Sequence, residues 1–453
     1  METLSLDQSG ADTLAQFAVC LQHESWTRQQ LQDYQARALQ ACREHAYAHS
    51  PFYQRFHRGL QDRPLQELPV LSKALMMEQF DELVTDRAVH LDEVRQYLAR
   101  ADASQLFLER YQVAATSGST GEPGVYLYTR GEGAINGNGY LRALHWGGAT
   151  PTDKAAVIAT TAANQGSSRL PVAAKGQALL RLNLSAADPL EKLVYSLNEF
   201  QPDALLGYAS IMAVLAQEQR AGRLHIVPRG VFCVADTLTG AMRQRIEQAW
   251  QAPVYNSYGT TEGGMLAAEC SAHQGLHLFE DFSIVEVVDE HNRPVPAGEQ
   301  GARVLLTVLF RRTQPLIRYE LSDLVRPSVH EHCACGRPFA LLENIEGRAI
   351  EVLYFPATSG KQERVSPYLF HTLFHPLPLT GWQVVQEPDG LHIFLTGAPP
   401  EFSDDGLRDL VRETLIKRGL LVPAIRIRRV AALYKNASGK TPLVLSHLPP
   451  EIS

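Results

Sequence analysis

The sequence predicts an α/β protein: a large N-terminal domain of mostly parallel βαβ sheets with an antiparallel β subdomain, and a small α+β domain at the C-terminus. Three observations predict it. Residues 150–260 alternate short apolar runs with amphipathic helices of ten or more residues, the pattern of a parallel sheet. From about 276 to 330 the helices stop, and apolar runs are separated by turn-rich sequence. Beyond residue 347 a hairpin, a helix and a strand form a compact set of their own.

Each element has its signal. "KAAVIAT" reads as a strand, and "PLEKLVYSLNEF" as a helix with Leu193, Leu197 and Phe200 on one face. "DALLGY" is a strand and "IMAVLAQEQRAG" a helix closed by Gly222. "GVFCVAD" is a strand, "GAMRQRIEQAW" a helix whose Met242, Ile246, Ala249 and Trp250 share a face, and "PVYNSYG" a further strand. "SIVEVVD" and "ARVLLTVLF" flank "EHNRPVPAGEQG" as antiparallel strands. After "IEGR" come the hairpin "GWQVVQ"–"EPDG"–"LHIFLTG", the helix "DGLRDLVRETLIKRG" and the strand "AIRIRRVAAL". The domain boundary is expected near Gly347, dividing 1–346 from 347–453, with the antiparallel subdomain at about 265–340.

The 453 residues suffice for a large domain and a second one at roughly 100–200 residues per domain. A composition 45% apolar and 20% charged is that of a globular chain with a real core. The formal charge of −7 gives no basic footprint for nucleic acid or an anionic membrane. The first residues, "METLSLDQSGADT", lack a basic start followed by an apolar stretch, so no signal peptide is expected. No apolar run approaches the roughly 20 residues of a membrane span. Six cysteines in so long a chain make no disulfide framework, and the expectation is a cytoplasmic enzyme.

Two motifs follow strands, where parallel sheets bind ligands. "TSGSTG" (116–121) offers glycines, which let several backbone N–H groups face one anion, and hydroxyl donors beside them. It is either a phosphate cradle or a polar turn, and it does not match GxxxxGK[ST]. "NSYGTTEGG" (256–264) brings a tyrosine face that can stack on a base and a carboxylate, Glu262, that can hold Mg²⁺. "RYELSD" ends in Asp323, suited to ribose hydroxyls, and "NASGK" places Lys440 in the last loop. Cys270, His273 and His277, with Cys333 and Cys335, offer ligands for tetrahedral Zn²⁺ or are two unrelated groups.

Taken in order, "TSGSTGEP", "YGTTE", "RYELSD", "GR" and "SGK", with "HSPFYQRF" and "LPVLSKALM" near the N-terminus, resemble the phenylacetate–CoA ligase-like branch of the adenylate-forming (acyl-CoA synthetase) superfamily. The resemblance covers nearly the whole chain. It implies a carboxylate–CoA ligase, AMP-forming, in which a carboxylic acid attacks the α-phosphate of ATP and the thiol of CoA then displaces AMP. By the same resemblance Ser117, Gly118, Ser119, Thr120 and Gly121 hold the β- and γ-phosphates. Ala235, Asp236, Ser257, Tyr258 and Gly259 line the adenine site, Thr261 approaches the α-phosphate, Glu262 binds Mg²⁺ and Asp323 the ribose. Arg348, in the hinge motif, joins the nucleotide-binding set, and Lys440 bridges carboxylate and phosphate from the small domain. Rotation of that domain about the hinge then builds the CoA tunnel. The acyl pocket is expected beside Tyr140, His145, Trp146 and Tyr255. A structural Zn²⁺ on Cys270, His277, Cys333 and Cys335, with His273 and His332 as rival ligands, and a homodimer complete the implied picture.

The chain also departs from the pattern. Glu122 stands where the phosphate loop usually has Lys, Ser322 where a Gly precedes the Asp, and Ala349 and Ile350 where acidic hinge residues follow Arg348. The Gly-rich segment of phenylacetate-specific members is absent, which favours another aryl or short acid. The hinge substitutions keep open transfer of the acyl group to an amine or a carrier-protein thiol, and Glu122 a silent nucleotide-binding homologue.

Overall fold

The computed structural model describes residues 13–100, 105–116, 123–150, 152–159, 180–348, 351–365, 367–374, 377–379, 381–434 and 441–448. Helices α1 (Thr13–His23) and α2 (Arg28–His49) are followed by four short ones, α3 (Pro51–Phe56), α4 (Lys73–Glu78), α5 (Phe80–Leu83) and α6 (Leu91–Ala99). Strands β1 (Gln112–Ala115) and β2 (Val125–Tyr128) pair antiparallel across the phosphate-loop sequence, and β2 leads into α7 (Arg130–Trp146). Next come β3 (Lys154–Ala159), β4 (Leu180–Ser185), α8 (Leu190–Phe200), β5 (Ala204–Gly207), α9 (Ala209–Arg220), β6 (Gly230–Val234), α10 (Gly240–Trp250) and β7 (Val254–Thr260). Strands β8 (Gly264–Glu269), β9 (Leu276–Leu278), β10 (Ser283–Val288), β11 (Arg303–Val308), β12 (Tyr319–Leu321), β13 (Asp323–Pro327) and β14 (Leu341–Arg348) follow without an intervening α-helix. The C-terminal part contains β15 (Leu353–Pro356), β16 (Gln362–Val365), α11 (Pro367–Phe374), β17 (Gly381–Glu387), β18 (Gly390–Thr396), α12 (Asp404–Lys417), β19 (Ile425–Arg429) and β20 (Val444–Ser446).

A nine-stranded sheet of order β13-β14-β9-β8-β7-β6-β5-β3-β4 dominates the molecule. Strands β4, β3, β5, β6 and β7 run parallel, as the alternation of strands and helices predicts. They are covered on both faces, so β3 and β5 read as continuous apolar runs. Leu193 and Leu197 of α8 and Met242, Ile246 and Trp250 of α10 bury the expected stripe, whereas Phe200 and Ala249 are only partly covered.

The antiparallel region differs from expectation in one respect. Only β10, β11 and β12 form a sheet of their own; β8, β9, β13 and β14 extend the sheet that holds the parallel strands. The cause is residues 261–263, a connection between β7 and β8 far too short for a parallel crossover of a dozen residues. The chain therefore reverses here, and the central sheet changes from parallel to antiparallel. β14 runs through Gly347, so the expected boundary falls at the end of that strand.

The C-terminal hairpin β17–β18 is flanked by parallel partners in the order β19-β18-β17-β20. Ser403 caps α12, whose Leu407, Val411 and Leu415, four residues apart, enter a core drawn from residues 353–444. Near the other end of the chain, Arg142 of α7 is fully buried among Phe279, Phe282 and Phe339. Its guanidinium donates to both oxygens of Asp281 at 2.9 and 2.7 Å and to the carbonyl of Cys20. Asp281 also meets His23 Nδ1 at 2.8 Å, so one buried ion cluster fastens α1 to the antiparallel strands. No described helix is long and apolar enough to cross a membrane.

Candidate active site and metal centre

The reversal between β7 and β8 sits at the carboxyl end of the parallel strands, where such sheets leave room for ligands. Thr260 Oγ1 accepts the N–H of Gly263 at 3.0 Å and closes the turn. Gly264 has φ +75°, and a Cβ there would lie 1.8 Å from Asn136 Oδ1. Glycine is needed twice over, for its conformation and for the approach of α7. Ser257, Tyr258, Gly259, Thr261 and Glu262 all line a cavity of about 1330 Å³. Ala235, Asp236 and Asp323 line it too, so the structure brings these eight expected residues to one place.

Their local chemistry is specific. The Tyr258 hydroxyl donates to Asp323 Oδ2 at 2.9 Å, and Asp323 lies opposite Arg348 in the pairing of β13 with β14. Ala235, which lines the cavity, holds φ +69°, a conformation that costs a non-glycine residue energy. Asp236 has a role that its motif did not reveal. Its carboxylate accepts the N–H groups of Ala209 and, at 3.0 Å, Ser210, capping a helix whose own N-cap residue, Tyr208, makes no side-chain cap.

A clasp of aromatic and cationic side chains fixes the turn. Tyr126 donates to Glu262 Oε1 at 3.3 Å and shares a hydroxyl contact of 2.9 Å with Tyr319. Tyr128 donates to the carbonyl of Thr261. The buried Arg311 lies over the Tyr128 ring at 4.2 Å and donates to the carbonyls of Glu262 and Leu127, each at 2.7 Å. Burial, and then the Glu262 charge, push the Tyr126 phenol well above its ordinary range, so it remains a donor. Sequence reasoning missed Tyr126, Tyr128, Tyr319 and Arg311 in these roles. The alternation of "VYLY" gave some signal for the tyrosines, while a fully buried arginine in "FRRT" gave none.

Ser117, Gly118, Ser119, Thr120, Gly121, Glu122 and Lys440 lie outside the described residues. Their flanks are described. Thr116 lines the cavity and pairs with Gly124 through both its N–H and its hydroxyl oxygen, and Tyr434 and Thr441 line the cavity on either side of 435–440.

The expected acyl pocket needs correction. Tyr140 lines the cavity, but His145, Trp146 and Tyr255 do not. His145 is exposed and meets Phe17 edge-on. Trp146 is buried against His277, Phe279 and Phe339, and its Nε1 donates to Glu24 at 2.8 Å. Tyr255 is stacked between Phe232 and His273. The reason for the first two is helical phase. At 100° per residue, positions 145 and 146 turn away from 140, whereas Gly133, Asn136, Gly137, Tyr140 and Leu144 share the cavity face.

A second cluster lies apart from the turn. Cys270 follows β8, His277 is in β9, and Cys333 and Cys335 belong to the loop between β13 and β14. Their ligand atoms all lie within 4.8 Å of one another. Cys270 and Cys333 sulfurs are 3.6 Å apart, and Cys335 Sγ is 3.3 Å from His277 Nε2. A tetrahedral ion with Zn–S bonds of about 2.3 Å would separate sulfurs by about 3.8 Å, so the residues fit. Burial and then Arg337 lower the His277 pKa to about 4, leaving the neutral imidazole that metals bind. The rival His273 pairs instead with Glu269 at 3.6 Å, and His332 is exposed.

The family profile described as AMP-binding enzyme matches residues 27–305, more than half of the chain. The chain belongs to the AMP-binding enzyme family. This AMP-binding enzyme falls in the phenylacetate–CoA ligase-like branch. It is 25% identical over 450 residues to a phenylacetate-coenzyme A ligase of Thermus thermophilus, covering 94% of each chain. It is 27% identical over 350 residues to one of Escherichia coli, covering 72% of each. Its fold is that of a 2-hydroxyisobutyryl-CoA ligase solved in the postadenylation state, with TM-score 0.72 at 22% identity over 94% of this chain and 91% of that one. Against the same ligase in the thioesterification state the TM-score is 0.59 at equal coverage.

Proposed function

We propose that this AMP-binding enzyme is an AMP-forming carboxylate–CoA ligase. The observation that carries the reading is a single cavity holding the Thr261–Glu262 turn, the Tyr258–Asp323 pair and an apolar recess beside Tyr140. Family membership and the two relatives named as CoA ligases support it. A carboxylate oxygen attacks the α-phosphorus of ATP, the bond to the pyrophosphate oxygen breaks, and acyl-AMP forms. The thiol sulfur of CoA then attacks the acyl carbon, loses its proton and releases AMP. Little covalent chemistry falls to the protein, so positioning and charge neutralisation dominate.

Asp323 accepts from ribose hydroxyls, with its carboxylate oriented by Tyr258. Ala235, Asp236, Ser257 and Gly259 border the base. Ser117, Gly118, Ser119, Thr120 and Gly121 grip the terminal phosphates, Thr261 approaches the α-phosphate, Arg348 joins the nucleotide-binding set, and Lys440 bridges carboxylate and phosphate. Glu262 would hold Mg²⁺, which would neutralise phosphate charge. Cys270, His277, Cys333 and Cys335 would hold Zn²⁺ in a structural role. The acid is of aryl or arylacetic type, and the active form is a cytoplasmic homodimer.

The test is pyrophosphate exchange into ATP across a panel of carboxylic acids, repeated with CoA and product analysis. Exchange that depends on an acid, with thioester appearing only when CoA is added, is the expected result. Absence of exchange with every acid would sink the reading.

A further inference from the structure

The cavity face of α7 carries two polar side chains one helical turn apart, Asn136 and Tyr140, interleaved with Gly133 and Gly137. Both approach the β7–β8 hairpin from the side of the recess. The Asn136 carboxamide has a defined orientation, because its Oδ1 accepts the N–H of Met265 at 3.3 Å. That contact leaves the two Nδ2 protons as donors, with no protein acceptor among the described residues. The Tyr140 hydroxyl reaches the other strand of the hairpin. It lies 3.7 Å from where a Cβ on Gly259 would stand, two residues before Thr261. It too has no protein partner among the described residues, and burial raises its phenol to about 12, so it is a neutral donor. Neither side chain is among the sealed polar atoms of the core; both line the cavity.

The wall near them includes the apolar Ala143, Leu144, Val234 and Met265, with the Gln112 carboxamide against Gly133. A recess built for a hydrocarbon acid alone would leave both donors dry and unpaired once the ligand displaced water, a penalty that such sites avoid. The two donors are themselves neutral and offer an ammonium substituent no charged acceptor. We infer that the acid carries a hydrogen-bond-accepting oxygen, a hydroxyl or a ketone, seated between Asn136 Nδ2 and the Tyr140 hydroxyl, so that the substrate class is a hydroxy- or oxo-carboxylic acid. The inference deepens, and rests on, the ligase reading of this cavity. Gly137, between the two donors on the cavity face, adds no side chain there, while the space beside Gly133 is taken by Gln112.

The experiment compares matched acids that differ by one oxygen. Phenylacetate is set against mandelate and 4-hydroxyphenylacetate, and butyrate against 3-hydroxybutyrate and acetoacetate. Pyrophosphate exchange gives kcat/KM, and the acid-induced shift in melting temperature, measured with AMP present, gives binding without turnover. The oxygen-bearing member of at least one pair is expected to lead by about tenfold to a hundredfold. Tyr140→Phe removes one donor. Asn136→Asp keeps the acceptor for Met265 but replaces the second donor with a repelling oxygen. Each variant should collapse the ratio within that pair, through KM rather than kcat, while its ligand-free melt reports folding. Equal use of both members of every pair by the wild type, or proportional loss of both members in the variants, overturns the subsite. If no acid supports exchange, the ligase reading fails separately, and the melting shifts still decide whether the oxygen is recognised.

Discussion

Tyr258 and Asp323 are 65 residues apart in the chain and joined by one hydrogen bond at the cavity wall. A hydrogen bond to a charged group contributes about 1.5–3 kcal/mol. Tyr258→Phe keeps the ring and loses the donor, so the KM for ATP in pyrophosphate exchange should rise by about tenfold to a hundredfold with the fold unchanged. Gly264 is constrained differently. Gly264→Ala meets both a positive φ and Asn136 at 1.8 Å, and it should lose activity and melt several degrees lower. Gly148 has φ +80° with open space around it, so Gly148→Ala serves as the control and should cost only about 1 kcal/mol. Calorimetry on the two variants separates steric conflict from backbone strain.

Among elements, the ion cluster on α1, α7 and the segment before β10 makes a prediction about pH. Burial by itself would raise the Asp281 carboxyl, but Arg142, and then His23, hold it far below the usual carboxylate range. A carboxylate with a depressed folded value contributes stability that is fully present above its unfolded value of about 3.9. That contribution is lost as the pH falls further toward the folded value. The wild type should therefore lose stability steeply below about pH 4. Asp281→Asn should flatten that limb and, by leaving buried Arg142 with only the more distant Glu24 at 3.7 Å as counter-ion, cost about 3–5 kcal/mol at neutral pH. Urea melts of both proteins at pH 3 to 7 check it. The four-ligand cluster ties β8, β9 and the loop before β14 together. Metal analysis should find one zinc per chain, and Cys335→Ser should lose it and lower the melting temperature. A metal content well under one would remove the zinc proposal.

For the whole molecule, the question is how the C-terminal part meets the large sheet. Tyr434 and Thr441 of the C-terminal part line the cavity that holds the β7–β8 turn. Lys440 falls between those two residues in the chain. Lys440→Ala should lower acyl-AMP formation by about a hundredfold or more, the scale at which one electrostatic stabiliser acts. It should still form thioester from supplied acyl-AMP. Equal loss in both half-reactions, measured separately by rapid quench, would contradict a role confined to adenylation.

Much of the fold was legible because its signals are local. Period-3.6 stripes such as Leu193 with Leu197 and Leu407 with Val411 and Leu415, and the buried runs of β3 and β5, depend on neighbours in the chain. The motif order likewise marked Ala235, Tyr258, Glu262 and Asp323, and the structure gathers them. His145 and Trp146 were misplaced because proximity in sequence to Tyr140 says nothing of direction, which the 100° helical step decides. The resemblance already put His277 ahead of His273, whereas the burial of Arg311 and Arg142 needed the aromatic walls that distant segments supply. The sequence by itself determined which elements form and which motifs border the cavity. Only the tertiary structure decided which side chains face one another there, because those contacts join residues tens to hundreds of positions apart that no local periodicity constrains.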